Sequence, residues 1–236
     1  SVPVESVTDL ETWSMRMMGV DMTAGGRSRR DFIASGLAGI YPAMGSAQSV
    51  ARKSVILVVG DSLSAEYGLR RGTGWVALLE KRLSDEKMAA QVVNASVSGD
   101  TTSGGRARLP ALLARHQPTH VVIELGGNDA LRGLPVSSTE DNLSQMTDVS
   151  RKAGAKVLLI GMQVPPNYGA EYSGQFAGTF ARVASKYKVA LVPFLLKGVA
   201  DGPDAERLFQ ADRIHPREEA QPVMLENVWP LLKRLL

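Results

Sequence analysis

The chain of 236 residues has no cysteine. That removes disulfides, thiolate metal sites and a cysteine nucleophile together. It also lacks any apolar run near the ~18 residues that a spanning helix needs, so stable membrane insertion is not expected. Charge runs of one sign are missing as well, because 27 Lys and Arg are scattered among 24 Asp and Glu for a formal charge of +3. With 6% aromatic residues and no basic stripe, the sequence offers nucleic acid no footprint. Neither His-x-x-x-His nor another cluster with metal-ligand spacing is present. The chemistry read below calls for no metal and no organic cofactor. The phosphate-cradling patterns Gly-x-x-x-x-Gly-Lys-Ser/Thr and Gly-x-Gly-x-x-Gly are absent where a strand meets a helix, which speaks against a nucleotide- or phosphate-binding module.

What is present divides into two parts. Residues 1–47 are irregular, Met-rich and Gly/Ser-rich, and read as an N-terminal extension. Inside it the basic cluster Arg27-Ser28-Arg29-Arg30 is followed by a modestly apolar stretch (33–44) and then by Gly45-Ser46-Ala47, the order of a secretory signal over about 22–47. Ser28-Arg29-Arg30-Asp31-Phe32-Ile33 resembles the twin-arginine export motif. Met22 is a candidate initiator. This reading places the protein in the periplasm or outside the cell; the competing reading, a docked arm of a cytoplasmic enzyme, places it in the cytoplasm.

Residues 48–236 read as one α/β domain, large enough at 44% hydrophobic composition to bury a core. Apolar runs at 54–59, 91–95, 119–125, 156–162 and 189–194 alternate with amphipathic stretches at 75–87, 107–116, 139–153, 172–187 and 218–235. That alternation predicts a three-layer fold, a five-stranded parallel sheet flanked by helices. The run S-V-I-L-V-V ahead of Gly60 has the continuous β-branched character of a strand buried on both faces.

In an open parallel sheet, ligands bind outside the carboxyl ends of the strands, so the polar residues just past each apolar run are the candidates. They are Gly60-Asp61-Ser62, then Asn94 with Ser98-Gly99-Asp100-Thr101, then Gly126-Gly127-Asn128-Asp129, and in the last loop Asp212-Arg213-Ile214-His215. A serine hydroxyl becomes a nucleophile only beside a base that a third group orients. Ser62, His215 and Asp212 fit those roles, the three-residue spacing letting the carboxylate meet the imidazole from behind. The Ser62 and Gly99 amides and the Asn128 side chain are the candidate donors to a developing oxyanion. Of the three histidines, His116 and His120 lie on the opposite edge, where surface roles are expected.

These blocks resemble those of the SGNH, or GDSL, hydrolase superfamily over about residues 54–231. Gly60-Asp61-Ser62-Leu63-Ser64 is similar to the nucleophile block, Gly99 to the second, Gly126-Gly127-Asn128-Asp129 to the third and Asp212-Arg213-Ile214-His215 to the last. The strings around Val93 to Thr101, Arg108 to Leu113 and Glu124 to Gly133 are similar to the bacterial arylesterase and thioesterase I/lysophospholipase L1 branch. The resemblance implies a flavodoxin-like sheet in the order 2-1-3-4-5, a Ser-His-Asp triad of Ser62, His215 and Asp212, and a periplasmic location. It implies small-molecule ester or acyl substrates, with short to medium acyl esters as the first reading and acyl-CoA thioesters or lysophospholipids as the alternative. Leu131, in a loop that shapes the acyl channel in relatives, and Pro165 and Tyr168 after the fourth strand are the substrate-binding candidates. Glu66 departs from the small residue common in relatives; it reads either as a solvent-facing loop acid or as a group at the site mouth that disfavours anionic substrates. Oligomeric state is not readable.

Overall fold

The structure is a computed structural model and describes residues 53–236. The N-terminal extension and the export signal expected within it lie outside the described residues. Five strands form one all-parallel sheet in the order β2-β1-β3-β4-β5, with β1 at Ser54–Gly60, β2 at Ala90–Asn94, β3 at His120–Glu124, β4 at Lys156–Ile160 and β5 at Ala190–Val192. The α/β class, the five parallel strands and their order agree with expectation.

The central strands are apolar because both of their faces are covered. Ile56 to Val59 of β1, Val121 to Ile123 of β3 and Leu158 to Ile160 of β4 are all at most 1% exposed, as a doubly covered parallel strand requires. Helices α1 (Trp75–Asp85) and α7 (Gln221–Leu235) pack on each other, and α2 (Thr102–His116), α4 (Val136–Lys152) and α5 (Ala170–Tyr187) pack in a row. The short α3 (Gly127–Leu131) and α6 (Ala205–Leu208) complete the helices of the described residues, with 3₁₀ turns at Pro166–Tyr168 and Glu218–Ala220.

Helices α2 and α4 begin three or more residues earlier than their apolar periodicity predicts, for reasons of capping. Thr101 caps α2 by accepting the Gly104 amide, which starts the helix five residues ahead of the apolar face. Pro135 sets the entry to α4. Neither α3 nor α6 was expected: α3 opens on Gly126-Gly127, which reads as a turn, and α6 spans only 4 residues. His120 is also not where its expected surface role would put it. It is 4% exposed, with Nδ1 2.8 Å from Thr119 Oγ1 and Nε2 2.9 Å from Leu235 O.

Because the chain leaves β1 toward β2 on one side and returns to β3 on the other, the strand order reverses between β1 and β3. Such a switch point opens a crevice at the carboxyl ends of those two strands. Ser62 follows β1 and Asn128 follows β3.

Candidate active site

The chain leaves β1 through a tight turn that its own side chains stabilise. Asp61 O accepts the amides of Ser64 (3.2 Å) and Ala65 (2.9 Å), while Asp61 Oδ1 accepts the Leu63 amide at 3.0 Å. This Asx-type bonding is what short acidic side chains do at a chain reversal. Gly60 is required here for a steric reason: a Cβ would lie 2.7 Å from Glu124 Oε2 and 2.8 Å from Ser64 Oγ.

The last loop is built just as locally. Phe209 and Pro216 form an antiparallel bridge, and Gln210 N donates to His215 O at 2.8 Å. Within the loop, Asp212 Oδ1 accepts the amides of Ile214 (2.9 Å) and His215 (3.0 Å), and Oδ2 lies 2.7 Å from His215 Nδ1. Nδ1–H therefore donates to the carboxylate, which leaves the Nε2 lone pair free to accept. Nε2 is 2.9 Å from Ser62 Oγ. Burial works to raise the Asp212 carboxyl, but the bonds from the His215 ring and from the His215 and Ile214 amides outweigh it and lower it to about 2. Asp212 is thus ionised behind the imidazole across the neutral range.

Of the three oxyanion candidates, the Ser62 and Gly99 amides donate to no protein acceptor among the described residues. Gly99 has φ +80°, and a Cβ there would have only Arg132 Nη2 nearby, at 3.9 Å; the open space lets a ligand approach its backbone. Asn128 is more constrained. Its Nδ2 donates to Asp61 Oδ2 (3.1 Å) and to Asp100 O (2.9 Å), so an oxyanion would take over one of those two hydrogens.

A shallow recess beside Ser62 is lined by Ser62, Leu63, Tyr67, Leu69, His215, Pro216 and Gln221. Leu131, Pro165 and Tyr168 are not part of this lining. Leu131 ends α3 and is 49% exposed. Pro165 is exposed, and Tyr168 stacks on Tyr172 at 6.0 Å, the first contact of an aromatic series through Phe176 to Phe180. Glu66 is half-buried, and its carboxylate accepts the amides of Gly72 (3.0 Å) and Gly74 (2.8 Å), closing its own loop.

Several neighbours of the site were given no role of their own in the sequence reading. Tyr67 packs on His215 with ring centroids 4.3 Å apart. Arg108 bridges Asp100 Oδ2 (2.8 Å), Gly60 O (3.3 Å) and Ala95 O, tying the ends of β1 and β2 to the loop that carries Gly99. Asp129 is buried and accepts the Thr102 amide at 2.9 Å and its hydroxyl. Glu124 is fully buried at the end of β3. An acid inside a run covered on both faces was the available signal for Glu124; for Tyr67 and Arg108 the sequence carries none. Among the described residues, no group of three His, Asp or Glu could hold a metal ion, and no helix is long and apolar enough to cross a membrane.

Burial raises the Asp61 carboxyl to about 6, against the bonds from Leu63 and Asn128 and the pull of His215. Burial, reinforced by the Asp61 charge, holds Glu124 well above the usual carboxyl range. Burial thus acts against ionisation of both carboxyl groups packed behind Ser62, and the Asp61 charge adds to it at Glu124.

Known proteins resemble the chain in sequence and in fold. Residues 58–221 match the GDSL-like lipase/acylhydrolase family. The chain is 55% identical over 186 residues to "Esterase TesA" of Pseudomonas aeruginosa, covering 79% of this chain and 91% of that one. It is 41% identical over 176 residues to "Thioesterase 1/protease 1/lysophospholipase L1" of Escherichia coli K12, covering 75% and 82%. A crystal structure titled TesA superposes with a TM-score of 0.74 at 56% identity, over 78% of this chain and 100% of that chain. The chain belongs to the GDSL-like lipase/acylhydrolase family and is a carboxylic ester hydrolase.

Proposed function

We propose that the protein is a serine esterase for carboxylic esters of short to medium acyl chains, including aryl esters, with Ser62 as nucleophile, His215 as general base and Asp212 as its orienting acid. The observation that carries this reading is the hydrogen-bonded line from Ser62 Oγ through both ring nitrogens of His215 to Asp212. Ser62 Oγ attacks the ester carbonyl as its proton passes to Nε2. The Ser62 and Gly99 amides and the Asn128 amide take the oxyanion, each donor commonly worth about 3 kcal/mol of barrier. Collapse expels the alcohol, which takes the proton from Nε2. Water then repeats the sequence on the acyl-Ser62 ester, releasing the acid. Leu131, Pro165 and Tyr168 are proposed to meet the acyl chain beyond the recess.

Ser62→Ala should abolish turnover of p-nitrophenyl butyrate while leaving the fold intact. Near-normal turnover in a folded Ser62→Ala protein would remove Ser62 from its role. The name of the Escherichia coli relative favours a second reading, with acyl thioesters or lysophospholipids as the main substrates. Matched ester, thioester and lysolipid substrates compared by kcat/KM separate the two. Export to the periplasm through residues 22–47 is part of the proposal; the mass of the exported protein tests it.

A further inference from the structure

Glu124 is a buried ionisable group behind the Ser62 turn that the steps above leave unused. It is 0% exposed at the end of β3. Its Oε2 accepts the Asp61 amide at 3.3 Å and the Ser64 hydroxyl at 2.7 Å. The Ser64 oxygen in turn accepts Trp75 Nε1–H at 3.2 Å. These contacts fall on both sides of Ser62 in sequence, on residue 61 and on residue 64. Gly60 packs so close to Oε2 that no side chain fits between them. This one oxygen therefore braces the Ser62 turn from both sides, in addition to the turn's own bonds.

We propose that Glu124 is a positioning residue of the esterase, fixing the Ser62 hydroxyl and amide through Asp61 N–H and Ser64 Oγ. The inference rests on the nucleophile assignment above. The second oxygen, Oε1, has no partner among the described residues. A buried carboxylate with one bare oxygen is costly, whereas a neutral carboxyl carrying its proton on that oxygen still accepts two bonds on the other. Burial and the Asp61 charge act in the same direction. The neutral state also serves Asp61, whose carboxylate holds Asn128: a second negative charge at this distance would drive Asp61 to take up a proton and let the Asn128 amide go.

The role requires an acceptor oxygen and no charge, so glutamine should replace glutamate and alanine should not. Glu124→Ala is expected to lose kcat on the order of 10²-fold, the cost of a nucleophile displaced by a fraction of an ångström, with KM little changed. Glu124→Gln should recover most of that loss. Infrared difference spectra between wild type and Glu124→Gln at about pH 8, well above the usual carboxyl range, should show a protonated-carboxyl C=O stretch lost in the variant. A Glu124→Gln protein as impaired as Glu124→Ala, a folded Glu124→Ala with wild-type kcat, or a spectrum without that band would each overturn the role. Should Glu124→Ala not fold, Ser64→Ala removes one of the two bonds without opening a cavity. It should lower kcat with KM little changed; a folded Ser64→Ala protein with wild-type kcat would count against the proposal. Ser62→Ala is run beside them. Retained turnover there breaks the nucleophile assignment, whereas the Glu124 outcomes are read against wild type and break only the positioning role.

Discussion

The two ends of β3 each bury an ionisable side chain, His120 at the amino end and Glu124 at the carboxyl end, and they satisfy it in opposite ways. Both ring nitrogens of His120 have partners, one the Thr119 hydroxyl and the other the Leu235 carbonyl. A carbonyl can only accept, so Nε2 carries a hydrogen, and burial holds the pKa of the ring down. Glu124 keeps one oxygen without a partner among the described residues, and burial pushes its carboxyl upward. The same strand thus ends in a completed structural contact on one side and an incompletely bonded acid on the other. Complete satisfaction marks a group that holds the fold together. Incomplete satisfaction marks one kept for what it does to its neighbours.

Asp129 tests whether satisfaction or position decides, because it lies at the reactive end yet is fully engaged. Asp129→Ala strips the buried Thr102 amide and hydroxyl of their acceptor and should cost about 3 kcal/mol in denaturant unfolding. If the loss appears mainly in kcat at unchanged stability, the distinction drawn here is wrong. His120→Ala is expected to cost about 2 kcal/mol for the lost ring hydrogen bonds and the space left behind. Its kcat per folded molecule should stay at the wild-type value, as an active-site titration reports.

The pH dependence of stability separates the two ends by sign. Asp61 binds its proton up to about 6 when folded but titrates near 3.8 when unfolded. The native state therefore holds more protons between these values, and stability falls as pH rises through them, by roughly 3 kcal/mol for a two-unit shift. Glu124 extends the same fall to higher pH. His120, lowered from 6.5 in the folded protein, acts oppositely: the unfolded state binds more protons below 6.5, so stability is lost as pH falls. Thermal unfolding against pH should show Glu124→Gln flattening the loss at rising pH and His120→Ala flattening the loss at falling pH. The smallest effect expected is that of Glu66→Gln, which keeps an acceptor for the Gly72 and Gly74 amides and should cost about 0.5 to 1 kcal/mol. It should leave the preference between neutral and anionic esters unchanged, measured by matched kcat/KM values.

The readable parts of the molecule were those whose signal is local. Strands β1, β3 and β4 are continuous apolar runs, and Ser62, Asp212 and His215 each sit in a short string with its own turn chemistry. Less was legible where the cause lies far along the chain. Glu124 sits within T-H-V-V-I-E-L and gains its meaning from Asp61 and Ser64, some 60 residues earlier. His120 looked like an edge residue because the Leu235 carbonyl that buries it is 115 residues away. Glu66 and Asp129 are polar residues in loops, and only the amides that they accept distinguish them from solvated acids. Tyr67 is three-dimensional information alone, since nothing in its neighbourhood announces a histidine 148 positions later.

Asp212 grips both the ring and the amide of His215 within a single four-residue turn, whereas Ser62, the nucleophile we propose for this pair, is 153 residues upstream. The proposed base and its partner are thus an autonomous cassette, and only one gap, from Nε2 to Oγ, is set by the completed fold. During synthesis, the sheet that presents Ser62 emerges first. On the proposed assignment the hydroxyl stays inert until the distant turn arrives, so a nascent or truncated chain would carry the nucleophile without the means to fire it.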